Sequence, residues 1–150
     1  VTLSFLISKQ ISVTDGRAYI AAQVIGGVLG VVVAHLMFGL PLIQDSTIVR
    51  TGLGQYVGEF VATFGLLATI LGCLRFRADA VPYAVGLYIT SAYWFTSSTS
   101  FANPAVTIAR GLSDTFAGIQ MVDVPMFTVM QLVGAMVATM VFGWLLKGDD

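Results

Sequence analysis

Ser97 to Gly111, SSTSFANPAVTIARG, is the stretch on which the reading of this chain turns. Asn103 is a strong helix N-cap, since its side-chain carbonyl can accept from a free backbone N–H of the first turn. Pro104 suits the first helical position, where no N–H is needed. Ala105 to Arg110 continue as helix, and Gly111 is a natural stop. The segment Pro104 to Arg110 rises only about 10 Å at ~1.5 Å per residue, roughly a third of a ~30 Å hydrocarbon core. Apolar segments long enough to cross a membrane flank it, yet it is too polar and too broken to cross one itself. A surface loop is the plain reading of such a composition; a re-entrant half-helix is the sharper one, and the rest of the chain favours it.

The 150 residues are 57% hydrophobic and only 10% charged, with a mean hydropathy of +0.89. Soluble domains carry about 25% charge, so this chain cannot cover itself with a solvated surface, and a helical integral membrane protein follows. A net charge of −1 without a basic run argues against nucleic acid as a partner. Cys73 is the single cysteine, so there is no internal disulfide, and no metal-ligand spacing surrounds it. No cofactor or metal is expected. The 16 glycines, with serine and threonine recurring in apolar segments, match closely packed transmembrane helices. The chain starts at Val1 within an apolar run, with no signal-peptide pattern, and reads as a fragment of a longer protein.

Four spans are expected: Arg17 to Phe38, Gln55 to Leu74, a somewhat short Val81 to Phe95, and Val124 to Leu146. Val1 to Ile11 is apolar but short and fits a buried half-helix. Ser12 to Gly16 reads as a turn, Gly39 to Gly54 and Leu112 to Asp123 as loops, and Arg75 to Ala80 as a charged turn. Lys9, Arg17, Arg75, Arg77 and Lys147 fall on one side, and Arg50 and Arg110 on the other. Five against two places the chain start, the Arg75 turn and the C-terminus in the cytoplasm.

An internal repeat constrains function most. Val1 to Ser8 (VTLSFLIS) resembles Val106 to Ser113 (VTIARGLS) at an offset of 105. Tyr19-x-x-x-Gln23-x-x-Gly26-Gly27 resembles Phe127-x-x-x-Gln131-x-x-Gly134-Ala135 at an offset of 108. Each copy is a short half-helix followed by a glutamine- and glycine-bearing span, and the charge balance sets the two copies on opposite sides. Inverted repeats with broken helices meeting near the midplane are a transport architecture.

Asn103-Pro104-Ala105, Glu59 within GEFVATFGLLAT, and Gln23 and Gln131 together resemble the major intrinsic protein family, the aquaporins and aquaglyceroporins. Asn103-Pro104-Ala105 is similar to the family's second NPA box, and Val1-Thr2-Leu3 to the residues just after its first. The resemblance covers the whole chain. It implies an all-α membrane protein, an aquaporin-like inverted-repeat bundle with re-entrant half-helices. Four spans and parts of two half-helices would be present, and two spans and the first NPA triplet would precede Val1. It further implies one incomplete channel domain over residues 1–150, one pore per subunit and a homotetramer.

In this frame the Asn103 amide NH2 points away from its helix as a donor to passing solute. The positive end of the half-helix adds to the repulsion of cations, a selectivity logic already established for aquaporin-type pores. The hydroxyl-rich approach, Thr96 to Ser100, fits extended backbone whose carbonyls line a wet lumen. Val106 stands where the family usually has a filter arginine, which removes a cation and its five donors. A wider, less water-selective pore follows, suited to glycerol, urea or neutral metalloid hydroxides such as arsenite. Arg110 lies four residues on, on the same helix face; partial replacement of that arginine and a helix-pairing or snorkelling role weigh equally. For the fifth-helix filter position, counting back from Asn103 gives Ser91 and counting forward from Gly86 gives Tyr93, and both stay open. Glu59, an acid within a span, is expensive and usually functional; the resemblance implies support of the half-helix loops, with proton coupling the competing role. His35 reads as a hydrogen-bonded interfacial histidine rather than a pH gate. Gly26, Gly27 and Gly30 read as sites of close helix approach.

The expected function is passive passage of small uncharged solutes across the cell membrane. The competing classes are a non-conducting truncated or structural homologue and, further off, an ion-coupled transporter, which lacks a second intramembrane acid. An enzyme is disfavoured, because no nucleophile–base pair or metal site is offered.

Overall fold

Ser12 starts a long helix after a short first one. Its hydroxyl oxygen accepts from the backbone N–H of Asp15 (3.0 Å) while its O–H donates to the Asp15 carboxylate (2.7 Å). Asp15 in the first turn also complements the helix dipole. Helix α2 therefore runs Val13–Phe38, four residues earlier than the expected start at Arg17, and the predicted Ser12–Gly16 turn is mostly helix. Gly39, at φ 66°, closes it, with its N–H on the carbonyls of His35 and Leu36, as a glycine cap should. The preceding helix α1 spans Thr2–Ile7, shorter than predicted because Lys9, at φ 55°, turns the chain.

The computed structural model describes residues 1–146. Lys147, counted in the charge balance, lies outside them. Among the described residues all regular structure is helical. After α2 come α3 (Leu53–Phe76), a 3₁₀ turn (Ala78–Ala80), α4 (Val81–Phe95), α5 (Pro104–Arg110) and α6 (Val124–Leu145). Helices α2, α3 and α6 are long and apolar enough to cross a membrane. Helix α4 has 15 residues, about 22 Å at ~1.5 Å per residue, and only the non-helical Thr96–Ala102 segment carries the chain further.

The chain packs as two compact units. The first comprises Val1–Thr51 and Asn103–Thr128, the second Gly52–Ala102 and Val129 onward. In the first unit α5 lies against α2 and α1 against the start of α2. Gly27 makes the former contact: a Cβ there would sit 3.2 Å from the Ala109 Cβ and 3.4 Å from the Ala105 carbonyl oxygen. Gly26 and Gly30, expected to act alike, have no described heavy atom within 4 Å of such a Cβ. In the second unit α3 packs on α4. Gly134 of α6 brings its backbone so close to α3 that a Cβ would lie 2.6 Å from the Phe60 carbonyl oxygen.

Several hydroxyls inside the apolar helices are satisfied locally. Thr69, Thr90, Ser91, Thr96 and Thr139 each donate to the carbonyl four residues back, at 2.7–2.9 Å, which removes the cost of an unpaired hydroxyl in an apolar setting.

Candidate functional site

Asn103 caps α5 as its sequence position predicts. Its backbone is extended (φ −156°, ψ 122°), and its side-chain carbonyl accepts from the Ala105 N–H at 2.9 Å. The amide nitrogen does not simply point away: it donates to Gln23 Oε1 at 3.2 Å. Gln23 Nε2 in turn donates to Thr2 Oγ1 at 2.9 Å. One glutamine on α2 thus links the first residues of both half-helices. Sequence reasoning valued Gln23 for the repeat and missed this contact; the available signal was an amide in an otherwise apolar span, which must find partners.

In the second unit the chain approaching Asn103 is held by Glu59. This residue is completely buried. Its Oε1 accepts from the Phe101 N–H (2.8 Å), and Oε2 accepts from the Ala102 N–H (2.9 Å) and from Gln131 Nε2. The approach is not uniformly extended, contrary to the reading of Thr96 to Ser100. Thr99, Ser100 and Ala102 take φ of 62°, 50° and 50°, the left-handed region, costing ~1–3 kcal/mol each for non-glycine residues. Two hydrogen bonds to a charged group, at ~1.5–3 kcal/mol each, are of the size needed to hold such a bend. Ser97 adds two ties to the start of α3: its Oγ donates to the Gly54 carbonyl (2.6 Å), and its own carbonyl accepts from Gln55 Nε2 (2.9 Å).

The sequence places these features in a family. The major intrinsic protein family model matches residues 1–80 and 71–149. The chain belongs to the major intrinsic protein family. Aquaglyceroporin AqpS of Rhizobium meliloti (strain 1021) is 52% identical over 147 residues, covering 98% of this chain and 63% of that protein. The chain thus spans less than two thirds of the length of that relative. No solved structure matches the chain. With its apolar helices, this major intrinsic protein is a multi-pass membrane protein with an aquaporin-like helical fold, and the resemblance read from the NPA box, Glu59 and the two glutamines is borne out.

The first unit of this major intrinsic protein holds a cavity of about 610 Å³ between α2, α5 and the loop that follows α5. Val106 and Arg110, one turn apart on α5, both line it, together with Phe116, His35 and Ser113. His35 is buried. Its Nδ1 lies 3.0 Å from the Leu42 carbonyl and its Nε2 2.9 Å from Ser113 Oγ. A carbonyl only accepts, so Nδ1 carries the hydrogen, and in the neutral ring Nε2 accepts from Ser113. Ser91 and Tyr93 are on α4, in the second unit. Ser91 is exposed and bonds back to the Leu87 carbonyl, while Tyr93 is half-buried with its ring edge-on to Trp94.

The loops beyond α2 and α5 are strapped together. Asp114 Oδ1 accepts from the N–H and the hydroxyl of Thr47, at 2.8 and 2.9 Å. These bonds hold its carboxyl below the usual range for an aspartate. Gln44 and Ser46 donate through their N–H groups to the carbonyls of Leu112 and Gly111, and Gln120 donates to that of Ile48.

Proposed function

We propose that the full-length protein is a passive channel for small uncharged solutes such as glycerol, urea and neutral metalloid hydroxides, and for water. The observation that carries this reading is the setting of Asn103: a half-helix cap whose amide is fixed by Gln23 through one hydrogen, with Val106 next along the same helix. An amide nitrogen has two hydrogens, and the second is assigned to the oxygen of a passing solute. The positive end of α5 adds to the barrier against cations. Pro104 and Ala105 give the cap its rigid, close-packed start. Glu59 is assigned to holding the approach to Asn103, since three donors already converge on its carboxylate. Ser91 and Tyr93 stay the two candidates on α4 for a filter residue.

The relative named above is called an aquaglyceroporin, which supports a solute range beyond water. In this reading residues 1–150 belong to one channel domain of a homotetramer in the plasma or inner membrane, with the C-terminus in the cytoplasm, and the protein catalyses no reaction. Swelling of proteoliposomes containing the full-length protein, with water, glycerol and arsenite as test solutes, is the deciding measurement. Uptake of all three is expected. Fast water movement without glycerol uptake overturns the wide-pore reading. Val106→Arg is expected to lower glycerol and arsenite permeability relative to water by about tenfold, equivalent to ~1.4 kcal/mol, and an unchanged ratio removes the role given to Val106.

A further inference from the structure

Arg50 is a cation that is 6% exposed, and a buried charge persists only when its donors are satisfied. Its Nε donates to the Gly118 carbonyl at 2.6 Å and its Nη2 to the Phe116 carbonyl at 2.9 Å. The guanidinium therefore grips both ends of the 116–118 turn. Its own backbone is fixed in turn: the Arg50 N–H donates to Asp123 Oδ2, and the neighbouring Thr51 hydroxyl to Oδ1, each at 2.7 Å. Asp123 is itself buried. The turn has little freedom to shift, since a Cβ on Gly118 would overlap the Ser113 carbonyl oxygen and Ser46 Oγ. Phe116, whose carbonyl the guanidinium holds, is 75% exposed and lines the same cavity as Val106 and Arg110.

We propose that Arg50 is a specificity-determining positioning residue: by fixing the 116–118 turn it sets Phe116 as the size-limiting wall at the Arg110 end of the cavity. This rests on the channel reading above. With valine at position 106, size selection moves one step along the path, to a phenyl ring carried by a loop and held by a buried guanidinium. Lysine cannot substitute fully, because a single ammonium lacks the planar fork that reaches two carbonyls at once.

The test uses the full-length protein in proteoliposomes, with glycerol and the longer polyol ribitol as probes. Phe116→Ala is expected to raise the ribitol-to-glycerol permeability ratio by about threefold or more, equivalent to ~0.7 kcal/mol. Arg50→Gln should raise it comparably, and Arg50→Lys by less. A purely structural Arg50 would lower both fluxes in proportion to folded protein and leave the ratio unmoved, which overturns the proposal. If the Arg50 variants do not fold, Phe116→Ala decides, since that side chain is exposed; an unchanged ratio there overturns it equally. A wild-type protein that passes neither polyol overturns the channel reading and this inference together. A conducting wild type with unmoved ratios in the variants overturns this inference alone.

Discussion

Gln23 on α2 and Gln131 on α6 occupy matching places in the repeat, four residues after Tyr19 and Phe127 respectively. Gln23 is half-buried and uses both ends of its amide, accepting from Asn103 and donating to Thr2. Gln131 is 1% exposed, and its NH2 serves an acid, Glu59. The glycines after them differ too. In the first unit the second glycine of the pair, Gly27, meets the half-helix. In the second the first, Gly134, meets α3, while its counterpart Gly26 touches nothing described. Equal spacing therefore delivers equal chemical groups but not equal partners. In one copy the glutamine orients a pore-candidate amide; in the other it completes the neutralising shell of a buried carboxylate.

The largest expected effect that sharpens this contrast is Glu59→Ala. It removes the carboxylate that accepts from two backbone N–H groups and the Gln131 amide, at ~1–3 kcal/mol for each bond lost. Loss of assembled protein, read by size-exclusion chromatography in detergent, is the expected outcome. Glu59→Gln should retain part of the assembly, since an amide oxygen still accepts. Retained assembly with a newly altered pH dependence of flux would instead point to proton coupling. Next comes Gly134→Ala, expected to destabilise by ~1–3 kcal/mol through overpacking against the Phe60 backbone. Gly26→Ala should be neutral or slightly stabilising, as alanine is the better helix former. Thermal unfolding of both variants in one detergent breaks the comparison if they shift alike.

Gln131→Leu should cost more stability than Gln23→Leu, about 1–3 against ~1 kcal/mol, because only Gln23 sits where water can replace lost bonds. Gln23→Leu should show itself chiefly in reduced solute flux at unchanged protein yield. The smallest effect concerns Asp114. Its folded carboxyl titrates below its ordinary value of 3.8, so its tie to Thr47 contributes fully above that value and is lost as pH falls below it. Amide exchange at Thr47 should speed up only under such acid conditions, and Asp114→Asn should abolish that pH dependence.

The half-helix α5 was legible to the residue, because an Asn-Pro start and a glycine stop are local signals. The spans were legible to within a few residues for the same kind of reason, hydropathy being a property of the segment itself. The start of α2 was not, since Ser12 and Asp15 serve a turn or a cap equally well and only the structure chooses. The left-handed bend at Thr99, Ser100 and Ala102 carries no glycine to announce it; it is imposed by a carboxylate about 40 residues earlier, 42 from Phe101. Arg50 read as one of the two cations on the non-cytoplasmic side, and its burial against Phe116 and Gly118 depends on a loop 66–68 residues away, which no local pattern encodes.

The shell around Glu59 also implies an order of events at the ribosome. The acid and its two backbone donors are 42 and 43 residues apart, whereas its third donor, Gln131, follows 72 residues after it. Phe101 and Ala102 leave the ribosome before Gln131 does, so the bend onto Glu59 can form before its third donor arrives. Until then that acid waits in an apolar helix one donor short. Helix α6 is thus a latch on the conformation of the 96–102 segment made before it, and a chain stalled before Gln131 would carry Asn103-Pro104-Ala105 without that lock.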